Sequence, residues 1–119
     1  MSRFILTNNP SILTLYPSAR WVDGGPDAVL LESRKMVHDS YPLLMHPFMG
    51  DIHLIQNPFR TILLGEKRGE VDPVSLAWIE ESIDRLRRGF REEQSIEDNG
   101  DYQMIDFDLF QKAIQQGKS

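Results

Sequence analysis

Phe4-Ile5-Leu6-Thr7-Asn8-Asn9-Pro10 is the stretch on which the fold turns. With Arg3 it reads as a first strand over residues 3–7. An uninterrupted apolar run marks a strand buried on both faces, whereas a half-exposed strand alternates. Asn-Asn-Pro then ends it, because short amide side chains bond to nearby backbone and proline withholds the donor a ladder needs. A buried strand delivering a polar turn is how open α/β sheets present ligand contacts at their carboxyl ends. Leu43-Leu44-Met45-His46-Pro47 repeats the pattern, so two strand ends are expected to meet at one surface.

Working outward, Ser11 to Tyr16 suits one short helical turn, with Ile12, Leu15 and Tyr16 inward and Pro17 stopping it. Ala19 to Val22 reads as a short second strand closed by Asp23-Gly24-Gly25. Pro26 suits the first position of a helix, where its missing N–H has no intrahelical acceptor to lose. Leu30, Ser33, Val37 and Tyr41, widened by Val29 and Met36, set a helix over about 26–39. Tyr41-Pro42 breaks it, and Leu43 to Met45 supplies a third strand. Residues 46–58 make the longest irregular connection, and Arg60 to Leu64 reads as the fourth strand. After the charged turn 65–70, Asp72-Pro73 pairs an N-cap carboxylate with proline at the first helical position. Leu76, Ile79, Ile83, Leu86 and Phe90 then line one apolar face over four turns.

This order predicts an α/β fold: a small, mainly parallel four-stranded sheet flanked by helices, of Rossmann-like or flavodoxin-like strand order 2-1-3-4, with a C-terminal helical tail. The division expected is an α/β domain over 1–91 and, over 92–119, an acidic linker with an amphipathic helix. Phe107, Phe110 and Ile114 give that helix its apolar face from about 106 to 116. Deletion of residues 95–119 is expected to leave a folded domain.

Charge divides the same way. Residues 1–91 hold 11 basic and 11 acidic side chains, and residues 92–119 hold 2 and 7, so the tail carries the whole net charge of −5. A neutral body with an acidic tail suits no polyphosphate backbone, and nucleic-acid binding is not expected. Hydrophobic content of 40% with 26% charged residues is ordinary for a globular chain. No run approaches the roughly 18 apolar residues of a membrane span, so no membrane insertion is expected. The opening residues lack a secretory pattern, which sets a cytoplasmic expectation. Zero cysteines exclude thiol nucleophiles, disulfides and Cys-ligated metal centres in this chain.

The candidate ligand-binding residues are Thr7, Asn8, Asn9, His46 and Lys67. The two asparagines follow the first strand and can donate to and accept from a small polar ligand; they equally suit turn capping. His46 is the titratable side chain at the third strand's end, and packing on Pro47 is its structural alternative. Lys67 follows the fourth strand, where a cation meets an anionic ligand or simply solvates a turn. Arg60 is expected at the opposite end from this crevice, in a structural ion pair. Asp51 and His53 share the long loop with His46, but their spacing matches no ligand register, so no metal is expected. Gly65 to Gly69 lacks P-loop spacing. No nucleophile elbow or catalytic dyad is present, so no catalytic residue and no cofactor is assigned, and whether a reaction occurs is left open.

Phe4-Ile5-Leu6-Thr7-Asn8-Asn9-Pro10, Leu44-Met45-His46-Pro47, Arg60-Thr61-Ile62-Leu63-Leu64 and the helix opened by Val71-Asp72 together resemble the GrdX family over about residues 3–90. These are small proteins encoded beside glycine, sarcosine and betaine reductase components of anaerobic bacteria. The resemblance implies a setting in anaerobic amino-acid metabolism and a reductase protein component as partner. It carries no catalytic residues over, because the family has no established activity. Reductase chemistry of that kind uses selenocysteine and thiols, which this chain cannot supply, so a non-catalytic accessory or regulatory part is implied. The alternative is a small-molecule ligand, an anionic or amine metabolite bound or transformed at the strand-end crevice.

Overall fold

The computed structural model describes residues 3–48, 56–90 and 99–116. Asp51, His53, Arg91 and linker residues 92–98 lie outside the described residues. The chain runs β1 (Phe4–Thr7), α1 (Pro10–Leu15), β2 (Arg20–Trp21), α2 (Pro26–His38), β3 (Thr61–Leu64), α3 (Pro73–Gly89) and α4 (Asn99–Gln116). Proline occupies the first turn of α1, α2 and α3 alike. Asn9 caps α1 by accepting the Ser11 N–H at 3.0 Å, and Asp72 caps α3 through the Ser75 N–H at 3.0 Å. Each acceptor satisfies one of the free amide groups that open a helix.

α2 ends in a Schellman turn. The Tyr41 N–H bonds to the Met36 carbonyl and the Ser40 N–H to the Val37 carbonyl, both at 3.0 Å. The left-handed residue this turn demands is Ser40, at φ 75°, where glycine is the usual occupant.

The four-stranded, mainly parallel sheet does not form. Three strands pair in the order β2-β1-β3, with β1 parallel to β2 and antiparallel to β3. The expected third strand over 43–45 is reduced to a single bridge, Leu43 to Leu64. Two backbone bonds flank it, Leu44 N–H to the Leu63 carbonyl at 2.9 Å and Gly65 N–H to the Pro42 carbonyl at 2.8 Å. Pro42 has no N–H to offer β3, which cuts the ladder short on that side, and the Leu43 N–H, facing away from β3, goes to Ser75 Oγ at 2.8 Å. The bridge is antiparallel to β3, so residues 42–44 run in the same direction as β1. The chain then doubles back and inserts β3 between them and β1. The order expected for the last two strands is therefore inverted, and the strand carrying residues 61–64 reverses direction.

Helices cover both faces of this mixed sheet. Leu6, Ile62 and Leu64 point to one side, into a core with Val29, Leu30 and Val37 of α2 and Ile79, Ile83 and Leu86 of α3. Leu63 points to the other, against Ile12 of α1 and Phe110 and Ala113 of α4. That alternation explains why β3 lacks polar interruption, since every one of its positions faces a covered layer, while β1 is fully covered at Leu6 and Thr7 and opens to solvent at Phe4. α4 begins at Asn99, earlier than its apolar pattern predicts, and packs on α1 and β3. Phe110, buried against Ile12 and Leu63, also meets the Tyr16 ring edge-on at 5.6 Å.

Candidate functional site

Thr7, Asn8 and Asn9 leave the carboxyl end of β1 side by side, all buried. Because β3 is antiparallel, its amino end meets them there, and Arg60 and Thr61 enter the cluster from which sequence reasoning had placed Arg60 remotely. α4 closes it from above with Asp106, and the 57–60 turn closes it from the side.

Asn8 joins three segments. Its amide donates to the Gly24 carbonyl at 3.0 Å and the Pro58 carbonyl at 2.9 Å, while its oxygen accepts the Arg60 N–H at 2.8 Å. Asn9 does the same for α4, donating to the Gln103 carbonyl at 3.0 Å and to Asp106 Oδ2 at 2.9 Å, while its oxygen caps α1. Both amide protons of each side chain are thus committed. A proton chain runs beside them: Asn9 N–H to Thr7 Oγ1 at 3.0 Å, Thr7 and Thr61 hydroxyls 2.8 Å apart, and Thr61 Oγ1 to Asp106 Oδ2 at 2.7 Å. With its proton spent on the carboxylate, Thr61 accepts from Thr7.

Two charges are buried here. Burial pushes the Asp106 carboxyl above its ordinary range, outweighing the opposing hydrogen bonds of Asn9 and Thr61 and the Arg60 charge. Burial likewise lowers Arg60 to about 10, against the pull of Asp106. The Arg60 guanidinium lies 4.6 Å over the Phe48 ring and donates to the Asn57 carbonyl at 3.3 Å. Asn57 in turn donates to the Tyr102 carbonyl of α4 at 3.0 Å. The arrangement is a connected polar network that ties α4 and the 57–60 turn to β1. In a low-dielectric interior such a network specifies one packing.

His46 and Lys67 do not join it. His46 packs edge-on to Trp78 of α3, ring centres 5.3 Å apart, and its Nδ1 accepts the Phe48 N–H at 3.1 Å. Its pKa falls below the usual imidazole value through burial, with Glu81 opposing and Arg85 reinforcing the fall. Lys67 follows the carboxyl end of β3, which antiparallel pairing sends to the far end of the sheet; it sits 3.2 Å from Asp39 Oδ1. Asn57, Arg60, Thr61 and Asp106 are members absent from the candidates read in the sequence, and Asp106 is the acidic one. Its signal is a carboxylate in register with Phe110 and Ala113, the inward face of a helix. Among the described residues no group of three or more His, Cys, Asp or Glu is placed to hold a metal ion. None of the described helices is long and apolar enough to cross a membrane.

Comparison with known families matches the description GrdX-like protein over residues 4–115. The match extends past residue 90 and includes most of α4. No curated protein and no solved structure matches the chain.

Proposed function

This chain belongs to the GrdX-like family, and we propose that it serves as a non-catalytic accessory or regulatory protein of a glycine, sarcosine or betaine reductase-type system, acting by binding a protein component. The observation that carries the reading is the hydrogen-bond accounting at the strand ends. Every amide proton of Asn8 and Asn9 is already donated within the fold, which supports a role for these side chains in holding the molecule together. His46, the titratable group expected beside them, packs against Trp78 of α3 with its Nδ1 occupied. The absence of cysteine assigns the thiol and selenol steps of such a reductase to other subunits.

The same accounting weighs against the strand-end crevice as a metabolite site, since a ligand there has to displace bonds that join β1 to α4. Native mass spectrometry of the full chain mixed with purified reductase components tests the proposal. A complex of defined ratio is the expected result. Free protein alone at concentrations well above those of the cell, with every component tried, overturns it.

A further inference from the structure

At the end of the sheet opposite the polar network, two clefts lie side by side. The first, of about 440 Å³, runs between the start of β1 and the end of α2, with Arg3, Arg20, Phe4 and Tyr41 in its walls. The second, of about 340 Å³, is walled by Pro42, Leu44, Lys67 and Arg68 and shares Arg3. Lys67 spans the two, 3.2 Å from Asp39 Oδ1 and 5.9 Å above the Tyr41 ring. Phe4 meets Tyr41 edge-on at 5.2 Å yet stays 37% exposed, and Leu44 stays 43% exposed. Each cleft therefore offers an apolar anchor point beside cations.

The charge here runs against the rest of the molecule. The chain carries −5 overall, but the linings of these clefts hold Arg3, Arg20, Lys67 and Arg68 against Asp39 and Glu66. Three of these cations already sit in surface ion pairs, Lys67 with Asp39, Arg68 with Asp72 at 3.9 Å and Arg20 with Glu32 at 3.6 Å. Exposed pairs are weak and exchange readily for an incoming carboxylate.

We propose that the paired clefts dock an extended acidic peptide segment of a partner protein, its apolar side chains entering beside Phe4 and Leu44 and its carboxylates meeting Arg3, Lys67 and Arg68. The proposal rests on the accessory reading above and gives it a surface. Two separated anchor points along one basic track suit a peptide better than a small anion, which would fill one cleft only.

The probe is a fluorescein-labelled short peptide of alternating leucine and glutamate, titrated with the full chain and followed by anisotropy. Lys67→Glu with Arg68→Glu is expected to weaken binding about tenfold, the equivalent of two exposed charge contacts. Glu66→Lys is expected to tighten it, and far-UV circular dichroism checks that each variant keeps its fold. Equal affinity for a leucine–glutamine peptide, insensitivity to the charge reversal, or full displacement by free glutamate each overturns the peptide surface. Mass spectrometry with the reductase components is run on the same variants. Retention by wild type and reversed chain alike leaves the accessory reading standing and removes this surface; retention by neither removes the accessory reading whatever the probe does.

Discussion

Truncating Asp106 to alanine deprives two buried donors of their acceptor, the Thr61 hydroxyl at 2.7 Å and one Asn9 amide proton at 2.9 Å. An orphaned buried donor costs about 1–3 kcal/mol, so the two together set a loss of about 2–6 kcal/mol. The carboxylate, however, is held in the fold against its own desolvation, and removing it relieves that burden. The expected loss is therefore toward the lower end, about 2–4 kcal/mol. Asp106→Asn retains an oxygen that can accept from Thr61 and Asn9, and it should lose clearly less than the alanine variant.

The pair also carries a pH signature. The folded pKa of Asp106 is raised above 3.8, so the stabilising contribution of its protonated form is complete below the unfolded value and disappears as pH rises through the folded one. The stability difference between wild type and Asp106→Asn should thus shift against wild type as pH rises across that window, then level off. Urea unfolding followed by far-UV circular dichroism at a series of pH values measures both effects. An alanine variant within about 0.5 kcal/mol of wild type, or an asparagine variant less stable than alanine, would refute the reasoning.

Ser40→Gly places the usual residue at the left-handed position of the α2 turn and should raise stability by about 1 kcal/mol, read from the urea midpoint. His46 has its folded pKa below 6.5, so its contribution is present above that value and is lost as pH falls through the folded pKa. Imidazole proton NMR should show a titration below that of a free histidine, and a midpoint above 6.5 would contradict the burial argument. Removing residues 95–119 uncovers Ile12 and Leu63 and strips Asn9 and Thr61 of Asp106. The expected product binds a hydrophobic dye and lacks a sharp melting transition, whereas a cooperative melt near that of the full chain would establish residues 1–94 as a free-standing unit.

The local code was readable in the residues themselves. Proline at the first turn of three helices, the Asn9 and Asp72 caps and the periodic face of α3 each depend on neighbours within a few positions. The apolar runs at 4–7 and 60–64 imply strands, and both form, β3 covered on both faces and β1 covered at Leu6 and Thr7 but open at Phe4. They say nothing of direction, because a strand buried on both sides has the same composition whether its neighbour runs parallel or antiparallel. Asp106 on an apolar face hinted at a buried partner without saying which one.

Direction and adjacency belong to the tertiary structure. Residues 42–44 keep a single bridge to β3, Pro42 having no N–H to offer it, and β3 takes the place beside β1. That one reversal carries Arg60 to Thr7, Asn8 and Asn9 and carries Lys67 away to the opposite end. Charges tens of residues apart in sequence are assigned to one end of the sheet or the other by strand polarity, and polarity is set by which backbone donors remain to be paired once the whole chain has packed.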